Sequence, residues 1–127
     1  MLLFRGSCSY ILNMSSIPSP ANDLYDQANA SLAMGDLERA VQLYAEATQA
    51  DASCFDAWQA LGMTYVKLNR PKEAIEALLK ATSLKPNDAM AYTSLSIAYA
   101  RNNEITKAEE AAARARVVSW GGKAEML

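Results

Sequence analysis

A chain of 127 residues with 51% hydrophobic and 20% charged residues is the size of one domain and ordinary for a folded soluble protein. Its formal net charge of -2 provides no basic field to collect phosphates, which argues against nucleic acid as a partner. Histidine is absent, which removes the commonest general base and metal ligand near neutral pH, so neither an enzyme nor a bound cofactor or metal is expected.

Residues 1–20, MLLFRGSCSYILNMSSIPSP, contain no acidic residue and end in a Ser/Pro-rich stretch. The apolar run stops at Arg5 and Gly6 with no positive region before it, so the pattern of a secretory signal fails, and no run approaches the roughly 20 apolar residues a membrane span needs. No membrane partner is expected, and a cytoplasmic location follows. The segment reads as a tail with some local order, or as sequence upstream of a true start at Met14; its leucines and aromatics also suit docking on an apolar surface. The cysteines, Cys8 and Cys54, show no CxxC spacing; a reducing compartment is the simpler reading, with a Cys8–Cys54 bridge left open.

Ser19-Pro20 opens the first helix with a capping hydroxyl and a proline at the first helical position, and the helix is predicted to run to about Met34. Gly35-Asp36 supplies a turn and a new cap, and a second helix follows over Leu37 to Ala50. Further helices are expected near Phe55–Leu68, Pro71–Ser83, Ala89–Arg101 and Ile105–Val117, with Asn87 or Asp88 capping the fifth. No window alternates as a half-buried strand does, so the fold class is all-α.

The six helices fall into pairs that repeat every 34 residues. Trp58, Leu61, Gly62, Tyr65, Ala74, Leu78, Ala81 and Pro86 in the central copy align with Leu24, Gln27, Ala28, Ser31, Ala40, Tyr44, Ala47 and Ala52 before it. The third copy supplies Tyr92, Leu95, Ser96, Tyr99, Ala108, Ala112, Ala115 and Trp120. Three copies (21–54, 55–88, 89–122) lie between the tails at 1–20 and 123–127. Small residues recur where helices must cross closely, which is packing information and not chemistry. One pair cannot bury its own apolar face, so neighbours must stack into a solenoid.

The pattern W-x2-L-G-x2-Y … A … A … P in the central copy closely resembles the tetratricopeptide repeat (TPR). The resemblance covers about four fifths of the chain and implies a right-handed α–α superhelix of three helix-turn-helix units. The outer copies depart from it, with Gln27, Ser31 and Ala52 in the first and Trp120 in the third.

In TPR proteins the first helices of successive pairs line a concave groove that receives a peptide or a partner's helix. The resemblance thus implies contact positions at Asn22, Tyr25, Asn29, Leu32 and Ala33, at Asp56, Gln59, Met63, Val66 and Lys67, and at Met90, Thr93, Ile97, Ala100 and Arg101. Of these, Asn22, Tyr25, Asn29, Asp56, Gln59, Met63, Lys67, Met90, Thr93, Ile97 and Arg101 are the candidate protein-binding residues. An apolar stripe on a helix is core more often than site, so packing between helices is the competing reading at each apolar position. The carboxylate clamp of chaperone-binding members corresponds here to Tyr25, Asn29, Ala60, Met90 and Ser94, and only Asn29 matches.

What is expected is a non-catalytic adaptor or scaffold for a protein partner, in which an amphipathic segment meets apolar contacts in the groove and Lys67 and Arg101 at one rim. The alternative is an assembly factor that decorates a polymer; the chain is similar in length and repeat count to the bacterial kinesin-light-chain-like TPR protein that accompanies bacterial tubulins. Gly121-Gly122-Lys123 reads as a flexible turn rather than a phosphate loop, Glu109-Glu110 as a solvated face, and Cys54 as a buried spacer. Too little chain follows Ser119 to cap the last repeat, so Val117, Val118 and Trp120 are expected to be covered by another copy, a partner or the N-terminal tail.

Overall fold

The computed structural model describes residues 20–123. These form six helices: α1 Pro20–Ala33, α2 Leu37–Ala50, α3 Phe55–Lys67, α4 Pro71–Leu84, α5 Ala89–Arg101 and α6 Ile105–Ser119. No strand occurs among the described residues. The expectations for residues 1–19, including the Ser19 cap and the part of Cys8 in a bridge, lie outside them, as do residues 124–127.

Short loops make each pair a helical hairpin, α1 on α2, α3 on α4 and α5 on α6, and successive hairpins stack through α2 on α3 and α4 on α5. The first helices of the second and third pairs, α3 and α5, also touch. This is the expected all-α solenoid.

The helix ends follow from local chemistry. Pro20 and Pro71 sit in first turns where a missing N–H costs nothing, and Asp36 and Asp88 cap α2 and α5 by accepting from Arg39 N (3.2 Å) and Ala91 N (3.1 Å). Between the helices of every pair the chain turns through one left-handed residue: Gly35 (φ 84°), Asn69 (61°) and Asn103 (62°), each 34 positions apart. In all three the next N–H reaches back five residues, Asp36 to Ser31, Arg70 to Tyr65 and Glu104 to Tyr99, each at 2.9 Å, closing a Schellman motif. Gly121 (φ 90°) ends α6 the same way, with Gly122 N donating to Val117 O at 2.9 Å. The glycine pair is thus a helix stop of defined geometry.

The core is built from the recurring residues. Ala28, Ala40, Ala47, Ala74 and Ala81 are fully buried, and Tyr44 and Leu78 are the largest side chains enclosed without exposure. A Cβ placed on Gly62 would stand 2.4 Å from Leu78 Cγ, so the central crossing admits no side chain there. Ser96, at the equivalent place in the third pair, donates to Ala108 O at 2.8 Å across the same crossing. The aromatic that opens each later pair ties down the loop before it: Trp58 Nε1 donates to Ala52 O (2.9 Å) and Tyr92 Oη to Pro86 O (2.8 Å). Cys54 is fully buried at the start of α3 and is not a free thiol.

Candidate concave groove

The first helices α1, α3 and α5 carry the predicted contact residues in five registers: Asn22, Asp56 and Met90; Tyr25, Gln59 and Thr93; Asn29, Met63 and Ile97; Leu32, Val66 and Ala100; and Ala33, Lys67 and Arg101. One hydrogen bond ties neighbouring first helices together at this surface: Gln59 Nε2 on α3 donates to Ser94 Oγ on α5 at 2.7 Å. The Asp56 carboxylate on α3 lies close enough to Tyr25 of α1 to disfavour the ionised phenol.

At the α1 end the surface is ordered by tyrosines. The Tyr44 hydroxyl, rising from α2, donates to Asn29 Oδ1, and the Tyr25 and Tyr44 rings lie 5.8 Å apart at a 55° tilt. Burial, reinforced by the charge of the neighbouring Tyr25 phenol when it ionises, pushes the Tyr44 hydroxyl up to about 12. Tyr25 is also raised, first by burial and then by the Asp56 charge, against a lowering hydrogen bond from Asn29. Both phenols therefore stay neutral at physiological pH. Asn29 is exposed but oriented, because its carbonyl oxygen is held from below.

In the middle, Asp56, Gln59 and Met63 are half-buried. Gln59 spends its amide N–H on Ser94, while its Oε1 is enclosed without a partner. At the α5 end the surface opens: Met90 is 68% exposed and Ile97 38%, with Thr93 exposed beside them. Lys67 and Arg101 occupy the last turns of α3 and α5 and are exposed, giving one rim two cations.

Some expected contacts belong to the core instead. Val66 is buried among Ala74, Leu78, Leu95, Ala98 and Ala111, and Leu32 packs against the cluster around Tyr44. Asn22 is buried at the start of α1. Sequence reasoning missed the supporting role of Tyr44, which the repeat pattern marks only as a filler at the helix crossing. It also missed Ser94, visible only as a failed match to the carboxylate clamp.

Among the described residues no three His, Cys, Asp or Glu side chains gather as metal ligands, and no helix is long and apolar enough to cross a membrane.

Residues 31–96 match the family profile described as Tetratricopeptide repeat. Solved structures share the architecture. The second TPR of Spaghetti (RPAP3), bound to the HSP90 peptide SRMEEVD, is 18% identical, with a TM-score of 0.75 over 86% of this chain and 99% of that one. The second TPR domain of human RPAP3, in complex with the HSP70 peptide SGPTIEEVD, is 21% identical, with a TM-score of 0.77 over 83% and 88%. MamA is 24% identical, with a TM-score of 0.77 over 81% of this chain and 60% of that chain. At these identities the likeness is one of fold.

Proposed function

The chain belongs to the tetratricopeptide repeat family, and we propose from that membership that it is a non-catalytic interaction module, an adaptor or scaffold that takes a partner's amphipathic segment into its concave groove. The observation that carries this reading is a contrast along α3 and α5. Leu61, Gly62, Tyr92 and Leu95, which the repeat dictates, are buried, whereas Lys67 on α3 and Met90, Ile97 and Arg101 on α5, which the repeat leaves free, are exposed. Methionine adapts to irregular apolar surfaces, and two cations along one rim favour a segment with acidic residues on that flank.

The two RPAP3 domains are seen with peptides ending in EEVD. This chain offers Tyr25, Ala60, Met90 and Ser94 where the clamp of such domains has charged or amide side chains, and retains only Asn29. Selection by apolar contact and flank charge, rather than by a terminal carboxylate, is the consequence.

Binding of labelled amphipathic peptides, followed by fluorescence anisotropy, tests the proposal. A peptide with one acidic flank should bind, and Met63→Glu or Lys67→Glu should weaken it about tenfold or more, the effect of a lost anchor contact, while leaving the helical content unchanged. If both variants bind every ligand as the parent chain does, the groove is not the site. Co-sedimentation with filaments is the corresponding test of the polymer-decorating alternative, for which the outer face would serve.

A further inference from the structure

Asp56 in the first turn of α3, Lys67 in its last turn and Arg101 in the last turn of α5 form no ion pair among the described residues. Asp56 and Lys67 stand 11 positions apart, about three turns, so they share one face of α3 and lie about 16 Å from each other along its axis. Met63 lies between them on that face, and Ile97 and Arg101 repeat Met63 and Lys67 on α5. A helix dipole favours an acid in the first turn and a cation in the last, but it selects the end and not the face.

The acidic edge extends onto α1. Asp56 and Asp26 both disfavour ionisation of the Tyr25 phenol, after the larger effect of burial, so carboxylates from two helices stand beside one neutral ring. Lys85, in the loop before α5, is held over the Phe55 ring, 4.5 Å from its centroid, and does not pair with Asp56. The last turn of α1 holds no cation and the first turn of α5 no acid. The groove is therefore charged along a diagonal: acidic where α1 and α3 begin, apolar over Met63 and Ile97, and basic where α3 and α5 end.

We infer that the groove selects direction: it takes an amphipathic helix antiparallel to α3, with the partner's acidic first turn at Lys67 and Arg101 and its basic last turn at Asp56 and Asp26. This rests on the reading of the groove as the binding surface and adds the partner's secondary structure, charge order and orientation. A partner helix with an acid at i, an apolar residue at i+4 and a base at i+11 on one face returns the pattern of Lys67, Met63 and Asp56 in reverse. Acid first and base last is also the order a helix dipole favours, and antiparallel docking sets the partner's dipole against those of α3 and α5. A basic side chain arriving at Asp56 also meets the Tyr25 ring, whose face attracts cations. A uniformly acidic segment would satisfy Lys67 and Arg101 but place a like charge on Asp56.

Fluorescence anisotropy with the full chain and two labelled helical peptides of one composition tests this. One peptide carries the acid, apolar and basic residues at i, i+4 and i+11, and the other exchanges the two charges. The first should bind about tenfold more tightly, and the preference should shrink at about 1 M salt, where the screening length falls to about 3 Å. The exchange also lowers the peptide's own helicity, so the chain carrying D56K, K67E and R101E should prefer the exchanged peptide. The neutral variants D56N and K67Q/R101Q, which disturb the fold least, should each reduce the preference. A nitroxide on the N-terminus of the first peptide should broaden the amide resonances of Lys67 and Arg101 and spare that of Asp56. If Met63→Glu weakens both peptides while charge order, the neutral variants and the nitroxide discriminate nothing, the groove is the site and the directional inference is overturned. A proline at i+6, on the peptide's outer face, that is tolerated without loss also overturns it, because the ligand then lies extended. If Met63→Glu leaves both peptides bound as before, the groove reading fails and this inference falls with it.

Discussion

Gln59 and Ser94, 35 positions apart, are joined by a 2.7 Å hydrogen bond that fastens α3 to α5 across the floor of the groove, and the other half of the Gln59 amide is enclosed without a partner. The bond uses one end of an amide whose burial penalises both. Ser94→Ala should therefore cost about 1–3 kcal/mol, because it leaves a second buried polar group unsatisfied, whereas Gln59→Met should be close to neutral. The double variant should recover most of the Ser94→Ala loss in urea unfolding. Equal costs for Ser94→Ala in the presence and absence of Gln59 would show that the bond contributes nothing.

Gly62 is the position where helix propensity and packing make opposite demands. Alanine in a helix interior is favoured over glycine by about 1 kcal/mol. Its methyl would lie 2.4 Å from Leu78 Cγ and 2.6 Å from Cδ2, inside a side chain with no exposure and no room to turn. Overpacking of this kind typically costs about 1–3 kcal/mol, so Gly62→Ala should lower the melting temperature despite its better propensity. In the background of Leu78→Ala the same change should become stabilising.

The sequence made the architecture legible because its strongest signals act within a few residues. Proline in first turns, aspartate caps and the left-handed residues at 35, 69 and 103 set the helix ends, which fall within two residues of expectation. The surface was harder to read, because exposure depends on which helix stacks next. Met63 on α3 is half-buried, with α5 against its helix, while Ile97, its equivalent on α5, is open because no described helix stacks beyond it. Val66 and Ala100 share a register for the same reason with opposite results: Val66 is core and Ala100 is exposed. A place in the 34-residue repeat does not by itself carry that difference. The tie from Tyr44 to Asn29 was invisible for another reason, since the hydroxyl's reach across the hairpin is a matter of three-dimensional placement.

Asparagine fills the left-handed position in two of the three hairpins where the first uses glycine. Asparagine tolerates that region better than other side-chain-bearing residues, and glycine enters it without steric cost. Asn69→Ala and Asn103→Ala should each destabilise by about 1 kcal/mol, the left-handed penalty of an ordinary side chain, while the glycine variants should fold at least as stably as the parent. Thermal unfolding by circular dichroism distinguishes these outcomes, and an alanine variant as stable as the glycine one would remove the conformational argument.

Tyr44 gives the fold a limit at alkaline pH. Its hydroxyl is raised to about 12, chiefly by burial, whereas in the unfolded chain a tyrosine ionises near its ordinary value of about 10. Between those values the unfolded state gives up a proton that the folded state keeps, so stability falls as pH rises. The contribution is whole below about pH 10 and lost by about pH 12. Tyr44→Phe removes this titration together with the hydrogen bond to Asn29. It should be less stable than the parent at neutral pH and lose less stability on going to high pH, so that the two unfolding curves converge. Parallel curves across that range would show that Tyr44 ionises alike in both states, and that its burial in the α1–α2 hairpin has no electrostatic consequence.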